Sequence, residues 1–221
     1  CRFNCGGDRY GLEVYRLVVG SNFNPDVGCV RRTDFAFTTL SARFSPRLSR
    51  GRLVRRLTWQ GDLEYISDAE GSRLEDRTLS GRFGVEFDSS DEVTVIASRQ
   101  YELLPIAFGI SPGVVVPAGG HTSETLNAIY QLGRQRKVTG RLSAAYVSFY
   151  EGTRTSVTYA GRLGLSAHVG IEPNISLNWV QLPYGDFTAR LVGMRFGVAP
   201  TARLGFSALT QFNPSSHSLT S

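Results

Sequence analysis

The amino-acid sequence predicts an all-β fold, an antiparallel up-and-down meander of about 12 long strands that forms part of a transmembrane β-barrel. Three observations lead to this prediction. Apolar and polar residues alternate with period two along most of the chain, the alternating runs are about ten to thirteen residues long, and short connections alternate with longer ones. Together they predict strands with one face toward lipid and the other toward water.

The most regular alternation lies between Leu57 and Phe87. The apolar or small positions of its first run are Leu57, Trp59, Gly61, Leu63 and Tyr65. After a polar turn around 68–76, those of the second run are Leu79, Gly81, Phe83, Val85 and Phe87. Two such runs predict an antiparallel hairpin. For this hairpin alone, an amphipathic hairpin of a soluble β domain is the alternative interpretation.

The elements before this hairpin are less regular. Residues 1–8 show no clear periodicity and are predicted to be irregular, whereas 10–19 form a strand. Residues 20–32 form a turn-rich loop. In the next strand, about 33–44, the apolar positions shift phase after Phe37, which predicts a β-bulge. Residues 45–53 form a basic turn.

The elements after the hairpin repeat the pattern. A tight polar turn at 88–91 precedes a strand that ends near Tyr101. Residues 103–120 contain three prolines and are predicted to be a loop folded over or into the barrel. The apolar rows of the later strands begin at Leu126, Val138, Val157, Ile175 and Leu204, with a less regular strand ending near Val198.

Strand length and connection length favour the barrel. Strands of soluble domains usually have about five or six residues, whereas a tilted membrane-spanning strand needs roughly 9 to 11. Short turns are predicted at 88–91, 133–136, 168–171 and 199–201, and longer or turn-rich connections at 68–75, 103–119, 150–153 and 184–186. Outer-membrane barrels alternate short periplasmic turns with longer external loops.

The composition excludes a helical membrane protein. Hydrophobic residues make up 41% of the 221 residues, and no apolar run approaches the roughly 20 residues that a spanning helix needs. A barrel passes this test because only alternate residues face lipid. The net charge of +5 does not indicate a nucleic-acid partner, because the arginines are interleaved with acids along the chain and Lys137 is the only lysine.

No metal site, cofactor or catalytic site is predicted. Cys1 and Cys5 lack the second pair of ligands that a structural zinc site needs, and Cys29 leaves an odd number of cysteines. The histidines lie in or beside predicted turns, and no nucleophile elbow or glycine-rich phosphate loop occurs. The chain is therefore predicted not to be an enzyme.

The candidate functional surface is the polar face of the strands. Charged residues in a membrane wall must face water or one another, because arginine facing lipid at mid-depth costs about 2–4 kcal/mol. The members of this face are Asp62, Glu64, Arg82, Glu86, Arg141, Arg162 and Arg203. They form either a structural network of ion pairs or a surface that selects a polar solute.

A second candidate site is a loop motif. The alternative interpretation of this segment is an ordinary loop. Asn24 and Pro25 initiate a turn, Gly28 permits positive φ, and paired arginines follow. The motif consists of Asn24, Pro25, Asp26, Gly28, Arg31 and Arg32.

Several segments carry a resemblance to a known family. The most specific is NFNPDVGCVRR, within DRYGLEVYRLVVGSNFNPDVGCVRR, and the others are SARFSPR, RQYELL, PAGGH, SFYEGT and LPYGDFTARL. From Asp8 to about Ser218 the chain resembles the C-terminal barrel region of the DUF5916 family. Cys29 departs from the apolar or aromatic residue expected there, and the first seven residues match nothing in the family.

The resemblance implies an outer-membrane protein, in contact with lipid, that serves as a channel, transporter or membrane anchor. The family often carries an N-terminal family-9-like carbohydrate-binding domain, which implies that the intact protein binds or takes up carbohydrate or another polar solute. That domain is absent from residues 1–221, which are expected to form a single barrel segment, irregular at 1–8, with strands and loops at 9–218, and truncated at both ends. The alternative is a soluble β-rich module that binds a ligand or carbohydrate.

Overall fold

The computed structural model describes residues 1–23, 33–48, 53–111, 114–133, 135–149, 152–166, 168–183, 185–201, 204–213 and 218–220. All regular elements in these ranges are β-strands, which confirms the all-β class. No helix among the described residues is long and apolar enough to cross a membrane.

Most strands are long. They are β1 (Arg2–Gly6), β2 (Tyr10–Val19), β3 (Phe35–Phe44), β4 (Val54–Ser67), β5 (Leu74–Phe87), β6 (Glu92–Leu104), β7 (Phe108–Ser111), β8 (Val114–Val116), β9 (Gly119–Leu132), β10 (Val138–Phe149), β11 (Gly152–Gly164), β12 (Val169–Leu182), β13 (Gly185–Thr201), β14 (Leu204–Asn213) and β15 (Ser218–Thr220). Strands β4, β5, β9 and β12 have 14 residues each, which exceeds the roughly 9 to 11 that a tilted membrane-spanning strand needs.

The strands form a meander, as predicted. Thirteen strands make one sheet in the order β1-β2-β3-β4-β5-β6-β9-β10-β11-β12-β13-β14-β15, and β7 pairs with β8 separately. Neighbours in the sheet are therefore neighbours along the chain, except where the β7-β8 hairpin intervenes. Within the described ranges no pairing joins β1 to β15, so the sheet is not closed. That this sheet forms part of a transmembrane barrel stays a prediction.

The chain divides into two compact units. The first consists of Cys1–Arg47, Thr58–Phe83 and Ile96–Thr125. The second consists of Leu48–Leu57, Gly84–Val95 and Leu126–Ser221.

In the first unit the register of β2, β3 and β4 separates two faces. Leu40 lies opposite Val14 of β2 and Leu63 of β4. Directly opposed residues share a face, and consecutive residues of a strand alternate between faces. The apolar face of this unit therefore includes Tyr10, Leu12, Val14, Leu40, Phe44, Trp59 and Leu63. Its polar face carries Glu13, Ser41 and Asp62 in one row.

In the second unit the same separation extends over β10 to β14. Tyr159 lies opposite Leu142 of β10 and Ile175 of β12, and Ile175 lies opposite Val192 of β13. The apolar face of this unit includes Leu142, Val157, Tyr159, Ile175, Leu177, Val192 and Phe212. Its polar face includes Arg141, Ser143, Thr158, Arg162, Ser176, Asn178 and Arg195.

Residues 1–8 are not irregular throughout, because they contain β1. This strand pairs with β2 in a register that places Phe3 opposite Val14 and Cys5 opposite Leu12, on the apolar face. Two apolar positions are too few to produce a recognisable period, so the alternation was missed. The pairing with β2 defines the strand.

The phase shift in β3 is not a bulge. The pairings of β3 with β2 and with β4 run without interruption. Phe35 and Phe37 therefore lie on the polar face, where Phe37 contacts Tyr15 edge-on with ring centroids 6.0 Å apart. At the start of β3 the aromatic residues Phe35 and Phe37 lie on the face that is polar along the rest of the strand. The apolar positions therefore change phase without an inserted residue.

The predicted loop at 103–120 is partly regular. It contains the β7-β8 hairpin, and β9 begins at Gly119, seven residues before the first apolar position of its predicted row. The start of β9, GGHTSET, is polar or small on both faces, so it carries no period-two signal.

Two predicted turns are displaced. Val169 to Ile171, assigned to a turn, begin β12 and pair with residues 196–198 of β13. Residues 199–201, also assigned to a turn, end β13, whose pairing with β14 shifts register between Val198 and Thr201. The predicted turns at 88–91 and 133–136 lie between strands as expected.

Candidate functional site

Asp62 and Glu64 lie on the polar face of the first unit. The Asp62 carboxylate accepts hydrogen bonds from Ser41 Oγ at 2.6 Å and from Gln60 Nε2 at 2.9 Å. Glu64 lies in the next row, opposite Thr39 of β3. Asp62 therefore belongs to a local hydrogen-bond network, which agrees with a structural role.

Arginines on the polar face of the first unit form ion pairs or hydrogen bonds with neighbouring residues. Arg2 forms an ion pair with Glu13 at 2.8 Å. The Arg43 guanidinium donates to Ser45 Oγ at 2.5 Å and to the Gly7 carbonyl at 2.8 Å. The polar face of the first unit thus carries both signs of charge and satisfies much of its own hydrogen bonding.

Glu86 and Arg82 differ in their surroundings. In the second unit Glu86 accepts from two arginines, Arg55 and Arg56, each at 3.0 Å, and its side chain is 20% exposed. In the first unit Arg82 is exposed. Glu86 is therefore held in an ion-pair network, as one of the two predicted roles requires.

Arg141 and Arg162 lie together on the polar face of the second unit. Arg141 is opposite Ala160, and Arg162 is opposite Thr139, so the two arginines are diagonal neighbours on adjacent strands. Diagonal neighbours lie roughly 7–8 Å apart, within reach of long side chains. Both line a cavity of about 890 Å³ that Lys137 also lines.

Glycines bring β10 and β11 close together beside this cavity. Gly140 has a φ of 155° and lies opposite Gly161. A Cβ on Gly161 would lie 2.5 Å from the Thr139 carbonyl oxygen, and the Tyr159 ring covers the same position. A side chain at 161 would therefore push the strands apart.

Glu172 and Arg195 extend this charged row. They lie directly opposite each other on β12 and β13. The register of β11 with β12 is the same on both sides of Pro173, so Glu172 also lies opposite Arg162. One acid thus stands between two arginines.

The remaining predicted residues lie outside the described ranges. They are Arg203, Cys29 and the loop motif of Asn24, Pro25, Asp26, Gly28, Arg31 and Arg32. Their predicted roles are untested.

Asp91 is a buried polar residue that the sequence did not single out. Its carboxylate accepts from the Gly133 backbone N–H at 2.7 Å, Arg136 at 2.8 Å, Ser89 Oγ at 2.9 Å and the Tyr130 hydroxyl at 3.2 Å, and the residue is 5% exposed. The Gly133 N–H is the main cause that lowers the pKa of Asp91, opposed by desolvation and assisted by Ser89 and Arg136. An aspartate in a polar turn is common, and its partners Gly133 and Arg136 lie more than forty residues away, so no local signal identifies it.

The apolar face of the first unit carries a row of aromatic rings on four neighbouring strands. Tyr10 stacks on Phe44 with ring centroids 5.1 Å apart, Phe44 stacks on Trp59 at 5.7 Å, and Trp59 contacts Phe83 at 5.4 Å. All four side chains are exposed, from 38% at Phe83 to 67% at Tyr10. A row of exposed rings across adjacent strands is typical of the aromatic girdle of a membrane barrel.

Few hydrophobic side chains are buried in either unit, and the rest are exposed or half-buried. Among the described residues the buried hydrophobic ones are Ala36, Val116, Ile129 and Val180. Large side chains on the apolar faces, including Leu142, Trp179 and Phe196, are exposed. A water-soluble domain usually buries more of its large hydrophobic side chains in a core.

The described residues offer no cluster for metal binding. No group of three or more His, Cys, Asp or Glu among them could hold a metal ion. His121 contacts the Pro117 carbonyl at 2.8 Å, and His168 contacts the Ala199 carbonyl at 2.9 Å, so each ring binds nearby backbone.

Comparisons with protein-family models, curated proteins and solved structures find no match. The DUF5916 resemblance stays a prediction from the sequence.

Proposed function

We propose that this chain forms part of the wall of an outer-membrane β-barrel that serves as a channel, transporter or membrane anchor. The observation that carries the proposal is the exposed aromatic row Tyr10, Phe44, Trp59 and Phe83 on an apolar sheet face. Lipid would cover that face, and water would contact the polar one.

Apolar surface that the fold leaves uncovered favours contact with lipid. Removing apolar surface from water contributes roughly 25 cal/mol per Å². The large hydrophobic side chains of these faces are exposed or only half-buried, so part of this stabilisation is not available to the chain in water. Contact with lipid supplies it without any change in the strands.

The proposal also includes carbohydrate handling. It rests on the resemblance to DUF5916, whose members often carry a sugar-binding domain outside the barrel. We propose it as an activity of the intact protein and assign it to no residue of this chain.

The two tryptophans provide a direct test, because Trp59 and Trp179 both lie on apolar faces. Single-tryptophan chains, made by Trp179→Phe or Trp59→Phe, are folded into vesicles that contain brominated phospholipid. Since bromine quenches indole fluorescence only at close range, we expect strong quenching of both residues and weak quenching by aqueous acrylamide.

The matched control moves the indole by one position. In a Trp59→Phe/Trp179→Phe chain, Asn178→Trp places a tryptophan on the polar face of the same strand. That residue should be quenched by acrylamide and spared by brominated lipid. Equal lipid quenching at 178 and 179, or a wild-type chain that is a stable monomer in buffer, would contradict the proposal.

A further inference from the structure

We propose that the polar face of the second unit carries a binding site for an oxyanion-bearing solute, with Arg141 and Arg162 as its main ligands. The inference rests on the proposed function, in which this face meets water, and names the class of solute. Phosphate and carboxylate groups share the required chemistry, since both present two or more oxygens to a guanidinium.

The first support is an excess of positive charge. Among the described residues of β10 to β14, the register places four arginines and one acid on this face: Arg141, Arg154, Arg162, Arg195 and Glu172. The first unit differs, because its Arg2 is paired with Glu13 and its polar face also carries Asp62 and Glu64. The second unit therefore has arginines that its own acids cannot neutralise.

The second support is the arrangement of the cations around the cavity of about 890 Å³. Arg136 lines this cavity but is bound to Asp91 at 2.8 Å. Arg141, Arg162 and Lys137 line it as well, and in the described part of the chain none of the three has an ion pair within 4.0 Å. Like charges held this close repel one another, and a bound anion would relieve that repulsion.

The third support is a row of glycines beside the arginines. Gly164 lies opposite Gly170, and Gly170 lies opposite Gly197, so three adjacent strands lack side chains in one row of the polar face. The Arg162 guanidinium lies beside Gly170, with Nε 3.3 Å from the position that a Cβ on Gly170 would occupy. A solute can therefore approach the guanidinium without meeting a side chain of that row.

The fourth support is a hydroxyl donor at the rim. Ser166 lines the cavity, and its Oγ accepts backbone N–H groups from His168 at 3.2 Å and Val169 at 3.1 Å. Because Oγ accepts both of these hydrogen bonds, its own proton is not used in either and can be donated to an anion. The rim thus offers a neutral donor in addition to the charged ones.

The test is a calorimetric titration of the 221-residue chain with tripolyphosphate. The chain is folded in zwitterionic detergent micelles, and its strand content is checked by circular dichroism. We expect saturable binding that weakens as salt is added. Each arginine removed by Arg141→Gln or Arg162→Gln should weaken binding about tenfold, as expected for a charged hydrogen bond.

Two further variants control for charge and folding. Arg154→Gln removes the same charge from the same strand and face, but Arg154 does not line the cavity, so binding should change less than about twofold. Arg141→Lys/Arg162→Lys keeps both charges and should retain most of the binding. If the glutamine variants misfold, the inference is tested by the binding of the lysine variant and by the weakening of wild-type binding with salt.

The competing solutes identify the class. Displacement of tripolyphosphate by trigalacturonate extends the site to carboxylates, and failure of that displacement restricts it to phosphates. Binding of neutral maltotriose with equal strength, equal weakening by Arg154→Gln, or no binding by the wild-type chain overturns the inference. The lipid-quenching assay reports separately on the barrel, so a chain that is quenched by lipid but binds no anion loses this inference alone.

Discussion

At the residue scale, Asp91 connects two turns of the second unit. Its carboxylate accepts hydrogen bonds from the Gly133 N–H at 2.7 Å and from Arg136 at 2.8 Å, both in the turn after β9. It also accepts one from Ser89 in its own turn. Ser90 beside it adopts a positive φ of 62°, which is uncommon for a residue with a side chain. The Asp91 carboxylate thus stabilises both the conformation of its own turn and the contact of that turn with the turn after β9.

We expect Asp91→Asn to lower the thermal stability of the folded chain, because an amide carries no charge to attract Arg136 and offers one oxygen in place of two. Asp88→Asn is the matched control, since Asp88 lies in the same turn and is exposed. Thermal unfolding followed by circular dichroism measures both. Equal midpoints for the two variants would contradict the role assigned to Asp91.

The lowered pKa of Asp91 also predicts a pH dependence. A carboxylate whose folded pKa lies below its unfolded value, near 3.9, contributes stability that is present above that value and lost as the pH falls through the folded pKa. The difference in midpoint between wild type and Asp91→Asn should therefore be largest above about pH 5 and shrink below about pH 4. A difference that stays constant down to about pH 2 would exclude the charge as the cause.

At the scale of the element, the long strands separate apolar from polar positions, which the proposed function assigns to lipid and to water. On β3, Leu40 lies between Val14 and Leu63 on the apolar face, whereas the adjacent Thr39 lies opposite Glu64 on the polar face. The two positions are neighbours in sequence and share the same depth along the strand. Only the direction of the side chain differs.

We expect Leu40→Arg to impair assembly in lipid vesicles and Thr39→Arg to be tolerated. The first variant turns a charge toward lipid at a cost of about 2–4 kcal/mol at mid-depth, whereas the second places it opposite Glu64 in water. The assembled fraction is measured by protection from protease. Equal fractions for the two variants would show that the faces have been assigned wrongly.

At the scale of the whole molecule, the distribution of hydrophobic side chains bears on the proposed lipid contact. Both units leave many of their large apolar residues exposed or half-buried, and the buried ones among the described residues are few. Hydrogen bonding does not compensate for this, because the strands inside the sheet already pair their backbone groups with both neighbours. The apolar faces need contact with lipid, detergent or another apolar surface.

We expect the chain to aggregate in buffer and to be monodisperse in detergent micelles, because exposed apolar faces of this extent associate in water. Sedimentation velocity with and without detergent measures this. A monodisperse species in plain buffer would favour a soluble module, and the same species would then be expected to fail the lipid-quenching test.

The sequence by itself determined the all-β meander, the long strands and the two faces of most strands, because alternation with period two is a local property of consecutive residues. It missed β1, the start of β9 and the continuity of β3, since each of these depends on pairing with a neighbouring strand. Only the tertiary structure could show that Arg141 and Arg162 are diagonal neighbours, or that Asp91 binds the turn at Gly133. Both facts depend on register between strands, which brings together residues that are distant in sequence.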